Sequence, residues 1–229
     1  MTHEHAAHSS RRLGARLSGV VLAAGRAERM GEPKQLLELG DKILVQHVID
    51  AALAARLDEL ILVLGHAAER IGEALRADTR ARIRTARTRD AEAGPGHSLA
   101  TGLGACAPET DAAVVLLGDQ PGVSTELIDR VCDAFRASHA KALRPVWRDA
   151  SGASTPGHPV VLGRALWPAL AGAADDSGAG PLLDAHPEWL ETLEIAGTPP
   201  ADIDTWEDYR RAGGAARVGR AALEGERRK

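Results

Sequence analysis

Three cations follow a short apolar run near the beginning of the chain. The apolar residues 20–22 lead into Ala23-Ala24-Gly25, whose small side chains allow backbone N–H groups to approach a ligand. Arg26, Arg29 and Lys34 then place three positive charges within nine residues. This combination suits a polyphosphate, although the spacing fits a close-packed turn with solvated cations equally well. The chain has neither a GxxxxGKS/T P-loop nor a GxGxxG motif after this run, which argues against a P-loop NTPase and a dinucleotide oxidoreductase.

A carboxylate follows a second apolar run. Residues 114–117 are Val, Val, Leu and Leu, and Gly118-Asp119-Gln120-Pro121 comes directly after them. An Asp in this place can ligate Mg²⁺, or it can simply cap a helix or a turn. Because a divalent ion that bridges phosphates needs oxygen ligands beside a cationic cradle, the two loops together predict a metal-dependent phosphate site. Asp204, or less favourably Asp202, would supply a second ligand if the last segment folds back over the sheet.

Four short apolar runs alternate with helix-like segments, which is the order of βαβ units. They are residues 19–23, 60–64, 82–86 and 112–117. Three are almost continuously apolar, as parallel strands covered on both faces should be, whereas residues 82–86 alternate like an edge strand. Ligands of such sheets bind beyond the carboxyl ends of the strands, where both loops would lie. The predicted fold is a three-layer α/β/α Rossmann-like fold with a mostly parallel sheet.

Helices are predicted between and after these strands. An apolar stripe at spacing i, i+4, i+8 predicts an amphipathic helix formed around Leu44, Val48 and Ala52. Ser124 is placed to cap a helix after the Asp119 turn, and Thr205 is placed to cap a final helix. The site would therefore be built from strand-to-helix loops.

The chain is expected to form a single domain. Residues 1–16 are predicted to be a disordered polar tail, residues 17–212 a single folded domain, and residues 213–229 a charged tail. Extended segments near residues 143–147 and 160–162 are too short and interrupted for a separate domain. They are predicted to elaborate the same sheet and to cover a substrate.

Composition excludes several classes of protein. The 229-residue chain has a net charge of −4 and 28 scattered basic residues, so no nucleic-acid partner is expected. No run approaches the roughly 20 apolar residues of a membrane helix, so no membrane partner is expected either. Cys106 and Cys132 lie far apart without a CxxC spacing, which suits free thiols in the cytoplasm.

Taken in order, the motifs resemble the MobA-like NTP transferases, and within them the molybdenum cofactor cytidylyltransferases. The resemblance extends from about Leu17 to Tyr209. It rests on five motifs: Leu22-Ala23-Ala24-Gly25-Arg26 with Arg29-Met30-Gly31 and Pro33-Lys34-Gln35-Leu36-Leu37; Gly94 with Ser98-Leu99 and Gly102; Gly118-Asp119-Gln120-Pro121; Gly157-His158-Pro159-Val160; and Asp202-Ile203-Asp204-Thr205-x-Glu207-Asp208.

The resemblance implies a role for each motif. Nucleotide contacts are implied for Leu22, Ala23, Ala24, Gly25, Arg26, Lys34, Gly94, Ser98 and Asp119. Catalytic roles fall to Arg26, Lys34 and Asp119, which would hold the triphosphate and its metal. Asp119 and Asp204 would bind Mg²⁺, the implied cofactor. Gln120 and His158 would lie near the acceptor.

The implied reaction transfers CMP from CTP to a phosphorylated small-molecule acceptor, the molybdopterin-type molybdenum cofactor, and releases pyrophosphate. The segment Leu22-Ala23-Ala24-Gly25 resembles the cytidylyltransferase version, whereas the guanylyltransferase branch usually has Leu-Ala-Gly-Gly. A molybdoenzyme or its maturation factor would be the protein partner.

Three segments depart from the family pattern. Thr88-Arg89-Asp90 stands where the family often has Asn, Trp206 stands where it usually has Pro, and Gly178-Ala179-Gly180-Pro181 stands where it often has Gly-Ala-Arg. The last departure keeps a sugar phosphate or another phosphorylated metabolite open as acceptor. A non-catalytic, nucleotide-binding maturation chaperone is the alternative from another class.

Overall fold

A computed structural model describes residues 14–25, 32–88, 94–172 and 178–214. Arg26 and Arg29 lie outside these residues, as does most of each predicted tail. The boundaries proposed for the tails and for the single domain therefore stay predictions.

Ten strands are present in the described residues. They are β1 (Leu17–Ala23), β2 (Glu38–Leu39), β3 (Lys42–Ile43), β4 (Glu59–Leu64), β5 (Arg84–Arg87), β6 (Ala112–Leu117), β7 (Ala142–Arg148), β8 (Ser154–Pro156), β9 (Val160–Gly163) and β10 (Leu190–Ala196). Strands β2 and β3 form a small hairpin, and the other eight form one sheet in the order β10-β7-β9-β6-β1-β4-β5, with β8 paired to β7.

The sheet is mixed but mostly parallel, as predicted. Strand β1 lies between β6 and β4 and is parallel to both, and β5 continues the parallel part at one edge. Strand β9 runs antiparallel to β6 and to β7, and β10 pairs with β7 in parallel. The carboxyl ends of β1 and β6 consequently meet at the same edge of the sheet.

Eight α-helices flank the sheet in the described part of the chain. They are α1 (Leu44–Ala54), α2 (Ala68–Ala74), α3 (Ala77–Arg82), α4 (Pro95–Ala105), α5 (Thr125–Ala137), α6 (Trp167–Gly172), α7 (Gly180–Ala185) and α8 (Trp206–Arg211). Three short 3₁₀ helices lie at Lys34–Leu36, Arg164–Leu166 and Pro187–Trp189. None of these described helices combines the length and apolar character needed to cross a membrane.

Two apolar clusters, one on each face of the sheet, hold the helices against it and so produce three layers. Val20 and Val21 are neighbours in β1 and point to opposite faces of the sheet, as successive strand residues must. Val21 packs in the cluster that contains residues of α1 and α5, and Val20 packs in the cluster that contains residues of α4 and α6. The sheet is thus covered on both faces, which explains why its central strands are continuously apolar.

The structure confirms most of the predicted elements and corrects one. Helices α1 and α5 form as expected, and the backbone N–H of Leu127 donates to Ser124 Oγ at 3.2 Å. Segments 143–147 and 160–162 fall within β7 and β9 of the same sheet. The strand predicted for residues 82–86 was wrong at its start, because Arg82 is the last residue of α3 and β5 begins at Arg84.

Helix α4 lies very close to the sheet because Gly102 has no side chain. A Cβ built at Gly102 would lie 2.4 Å from Val20 Cγ1 and 2.9 Å from Val63 Cγ2. The helix can pack at this distance only with glycine there. Its first turn, which carries Ser98, is thereby held over the carboxyl ends of the central strands.

Candidate active site

Lys34 joins the two carboxylates that the sequence singled out. Its Nζ donates to Asp119 Oδ2 at 2.6 Å and to Asp204 Oδ1 at 2.7 Å. The three residues come from three separate parts of the chain, 85 and 170 positions away from the lysine. Lys34 is largely enclosed, with 12% of its side chain exposed, whereas 53% of the Asp204 side chain is exposed. The site therefore has a covered cation and an open carboxylate.

Asp119 is fixed by the end of β1. The backbone N–H of Gly118 donates to Leu22 O at 2.9 Å, and a Cβ at Gly118 would lie 3.0 Å from both Leu22 O and Ala23 Cβ. Glycine at position 118 therefore allows the two strand ends to meet. As a result, Asp119 lies directly beside the small-residue loop after β1.

Asp204 is positioned by the beginning of α8. Thr205 Oγ1 accepts from the backbone N–H of Asp208, and the Asp208 carboxylate accepts from the backbone N–H of Thr205, which is a complete capping box. The backbone N–H of Ile203 donates to Asp119 O at 3.0 Å, and Ile203 is buried. Main-chain contacts on both sides of Asp204 thus hold it against the Asp119 loop.

The charges of the site keep Lys34 protonated. Burial alone would lower the pKa of Lys34, but the charge of Asp119 and the hydrogen bonds to both carboxylates outweigh burial and raise that pKa. Asp202 behaves differently, because burial together with the charges of Asp119 and Asp204 raises the pKa of its carboxyl, against the hydrogen bond from Gln120. Asp202 is therefore a weaker candidate for an ionised metal ligand than its neighbour.

The carboxylates fit a hard divalent cation. Asp119 Oδ1 is buried and has no hydrogen-bond partner within the described residues. An orphaned carboxylate oxygen of this kind is costly unless a ligand satisfies it. The described residues contain no cluster of three or more His, Cys, Asp or Glu side chains arranged for a metal. Mg²⁺ nevertheless commonly takes one or two carboxylates and completes its shell with phosphate oxygens and water.

The nucleotide-side motifs surround this edge of the sheet. Gly25 O accepts a hydrogen bond from Gln35 Nε2 at 3.2 Å, which ties the loop after β1 to the 3₁₀ helix that begins at Lys34. Gly94 precedes α4 with a φ of 89°, a conformation that favours glycine. Ser98 is buried one turn further on. Sequence reasoning gave Gln35 no role of its own, although its neighbour Lys34 was identified.

A cavity of about 420 Å³ lies at the carboxyl ends of β1 and β6. Leu22 and Leu117, the residues just before the two loops, form part of its wall, and His158 and Arg144 supply polar groups. The remaining lining is mostly apolar, from Pro95, Leu99, Val115, Pro156, Gly157, Val160, Leu162, Gly178, Ala179, Gly180 and Leu183. The predicted position of His158 beside an acceptor space is consistent with this cavity.

Gln120 makes a hydrogen bond within the protein. Its side chain is buried, and Nε2 donates to Asp202 Oδ1 at 2.9 Å. This contact ties the Asp119 loop to the segment before α8. Acceptor binding by Gln120 stays a prediction, and the structure gives the residue a positioning contact.

His158 is held in its neutral form. Burial lowers the pKa of its imidazole to about 4, the charge of Arg144 acts in the same direction, and the charge of Asp119 opposes them. At pH 7 the ring therefore carries no charge. The uncharged ring can form a hydrogen bond in the cavity. It does not compete with a neighbouring cation for a phosphate group.

This pKa predicts a pH-dependent stability. Between about pH 6.5 and about pH 4 the unfolded chain binds a proton at His158 that the folded protein does not, so the free energy of unfolding should fall as the pH falls. The contribution is at most about 3 kcal/mol. We expect His158→Gln to flatten this dependence in urea denaturation measured across the window, whereas the same change at the exposed His66 should leave it intact. Parallel curves for His158→Gln and the wild-type protein would contradict the assignment.

The two cysteines take no part in the site. Both are buried and free, and burial raises the pKa of Cys106 to about 11 and that of Cys132 to about 12. Thiols with such pKa values remain protonated at neutral pH and are poor nucleophiles. The groups available for chemistry at the site are therefore the amine and the carboxylates described above.

Comparison with known proteins identifies the family. A sequence model of the MobA-like NTP transferase domain matches residues 19–189, which is most of the chain. The chain belongs to the MobA-like NTP transferase family. The matched residues run from β1 to the 3₁₀ helix before β10, and they include Lys34, Asp119 and the cavity, while Asp204 lies beyond the match.

Full-length relatives carry several different names. The purine catabolism protein PucB of Bacillus subtilis is 33% identical over 200 residues, covering 84% of this chain and 94% of that protein. The nicotine blue oxidoreductase of Paenarthrobacter nicotinovorans is 29% identical over 198 residues, covering 85% and 95%. As a member of the MobA-like family, the chain is a nucleotidyltransferase. The names of these relatives do not identify its acceptor.

Solved structures confirm the Rossmann-like fold. Rv0371c of Mycobacterium tuberculosis superposes with a TM-score of 0.74 at 34% identity, covering 86% of this chain and 97% of that one. A second structure of Rv0371c is a complex with manganese, and it superposes with a TM-score of 0.73. A relative of this chain has thus been solved with a divalent metal.

Proposed function

We propose that the protein is a Mg²⁺-dependent cytidylyltransferase. It transfers CMP from CTP to a phosphorylated acceptor, the molybdopterin-type molybdenum cofactor, and releases pyrophosphate. The reaction takes place in the cytoplasm, and a molybdoenzyme or its maturation factor receives the product.

The observation that carries this proposal is the double contact of Lys34 with Asp119 and Asp204. Nucleotidyl transfer requires a cation for the triphosphate and oxygen ligands for a metal at the same place. The arrangement supplies both beyond the carboxyl ends of β1 and β6, where ligands of doubly wound sheets bind. When a nucleotide binds, its phosphates can replace the two carboxylates as the partners of Lys34. Asp119 and Asp204 would then be free to bind the metal. The manganese complex of Rv0371c supports the same interpretation.

The proposed reaction forms one bond and breaks one. An oxygen of the acceptor phosphate attacks the α-phosphorus of CTP, and the bond from that phosphorus to the β-phosphate oxygen breaks. Lys34 and Arg26 would hold the triphosphate, and Asp119 and Asp204 would hold Mg²⁺, which when bound would neutralise charge on the phosphates. A phosphate monoester with a second pKa of about 6 is already largely ionised at pH 7, so the attack needs no general base. Catalysis therefore rests on positioning and charge neutralisation.

CTP is preferred because of the loop after β1. Ala24 belongs to the same apolar cluster as Leu99, which lies in the first turns of α4. Ala24 is the residue at which the chain resembles cytidylyltransferases, since the guanylyltransferase branch usually has Gly there. This resemblance favours cytosine over guanine.

The cavity favours a heterocyclic acceptor over a sugar phosphate. A sugar presents a hydroxyl group on most of its carbon atoms, and each one needs a polar partner when it is buried. The cavity has a mostly apolar wall and few polar side chains, His158 and Arg144 among them. A flat ring system with a phosphate suits such a lining better.

A nucleotide and acceptor panel tests the proposal. We expect CTP with molybdopterin to give pyrophosphate and a cytidine-diphosphate-linked product detected by mass spectrometry, with kcat/KM at least about 10-fold above that for GTP. If glucose 1-phosphate is turned over in place of molybdopterin, the proposed acceptor is wrong and a sugar phosphate is the acceptor. Tight binding of CTP without turnover on any acceptor would favour the maturation chaperone instead.

A further inference from the structure

We propose that Arg144 determines acceptor specificity by binding the acceptor's phosphate inside the apolar cavity. This inference rests on the proposed function, because it names the group that would present an acceptor to the nucleotide. The ligand class is a phosphate monoester carried on a ring whose faces can pack against apolar side chains. Sequence reasoning gave Arg144 no role.

Arg144 has hydrogen-bonding capacity that the protein leaves unused. Its Nε is buried and has no hydrogen-bond partner in the described part of the chain. Its Nη1 lies 3.6 Å from Asp184 Oδ1, which is too long for a hydrogen bond. Asp184 is also 68% exposed, so this ion pair is weak. A guanidinium presents its donors as a rigid fork that matches phosphate oxygens, and here the fork is incompletely satisfied.

The surroundings make Arg144 the group that an anion would meet. It lies in β7 and lines the cavity together with apolar side chains and His158. Because the pKa of His158 is lowered to about 4, that ring is uncharged at neutral pH and does not share the cationic role. Apolar walls strengthen the attraction between a guanidinium and a phosphate by excluding water. The cavity thus combines a surface for a ring with a fixed positive charge.

The cavity is also placed correctly for the reaction. Leu22 and Leu117 belong to its wall, and they directly precede the small-residue loop and Gly118-Asp119. The charges of both Arg144 and Asp119 act on the His158 ring. Arg144 and Asp119 therefore both lie near His158, so a phosphate held by Arg144 would lie near the Asp119 loop. Arg144 is a specificity-determining residue in this arrangement, separate from Lys34.

Gly180 allows a test by relocation of the charge. It lines the same cavity at the beginning of α7, and a Cβ built there meets nothing within 4 Å among the residues that the structure describes. Its backbone is not in the left-handed region, so a side chain is tolerated. Gly180→Arg can thus return a guanidinium to the cavity from another wall when Arg144 is neutralised.

Calorimetry with pyridoxine 5′-phosphate as the probe tests the proposal directly. The nucleotide site is first filled with Mg²⁺ and a non-hydrolysable CTP analogue, so that the probe reports the cavity. We expect Arg144→Gln to weaken probe binding roughly 10- to 100-fold, as befits the loss of charge-assisted hydrogen bonds. Binding of unphosphorylated pyridoxine should change little. The double variant Arg144→Gln/Gly180→Arg should recover part of the lost affinity.

Arg148→Gln is the matched control. Arg148 lies on the same strand, is 51% exposed, and pairs with Glu194 at 2.6 Å. Equal affinity of the wild-type protein and Arg144→Gln for the probe would overturn the proposal. So would absence of probe binding by the wild-type protein, or an equal loss for pyridoxine. A parallel loss of affinity for the CTP analogue would instead assign Arg144 to the triphosphate. Failure of CMP transfer with retained, Arg144-dependent probe binding would refute the proposed function alone.

Discussion

Replacing Asp119 by Asn is expected to lower the kcat of CTP-dependent pyrophosphate release about 100- to 1,000-fold, the range seen when one preorganised electrostatic group is lost. The substitution keeps the size of the side chain and the main-chain bond from Ile203 to position 119. It removes the negative charge that holds Lys34, and it replaces one of the two carboxylate oxygens, of which Oδ1 is free for a metal, by an amide NH2 group. Mn²⁺ titration of the free protein should show weaker metal binding in parallel.

Asp202→Asn is the matched control for this prediction. Asp202 lies two positions from Asp204 and pairs with Gln120, and burial raises the pKa of its carboxyl. We expect near wild-type turnover for Asp202→Asn and a large loss for Asp204→Asn, which decides between the two candidate ligands. Thermal unfolding of each variant reports whether the fold is intact. A folded Asp119→Asn protein with normal kcat would refute the metal assignment.

The position of the site could be predicted because two apolar runs indicate strands, and the topology of parallel sheets places the loops that follow them. The apolar runs at β1 and β6 predict strands, and parallel neighbours bring the loops after them to the same edge. The cap at Thr205 predicts the beginning of α8, which fixes Asp204. The convergence of Lys34, Asp119 and Asp204 in the structure agrees with the predicted site. Their roles in binding and catalysis stay predictions.

Other features depend on tertiary structure that local pattern does not encode. Three apolar residues and a glycine in β9 fit a strand of either direction, so its antiparallel place between β6 and β7 could not be predicted. The face on which Arg144 lies depends on that insertion. Similarly, alternation over residues 82–86 fits both the end of a helix and an edge strand. The buried contact of Gln35 to Gly25 joins two loops and leaves no periodic signal.

Lys34→Met should lower kcat/KM for CTP about 100- to 1,000-fold, since the charge that would meet the triphosphate is lost. The same change should also leave Asp119 and Asp204 without the cation that they share. The two carboxylates then repel each other, and only another positive charge can relieve this repulsion. We therefore expect Mn²⁺ to bind the free variant at least as tightly as it binds the wild-type protein. Steady-state kinetics and metal titration measure the two quantities separately.

These opposite directions distinguish a triphosphate ligand from a merely structural ion pair. If Lys34 only held the loops together, its loss would weaken nucleotide and metal binding alike, because both carboxylates would be displaced. Lys42→Met is the control, since Lys42 Nζ makes an ion pair of similar length with Asp50, at 2.7 Å, outside the site. That variant should keep both activity and metal affinity. Parallel losses in Lys34→Met would reduce the lysine to a positioning residue and leave Arg26 as the principal triphosphate ligand to test.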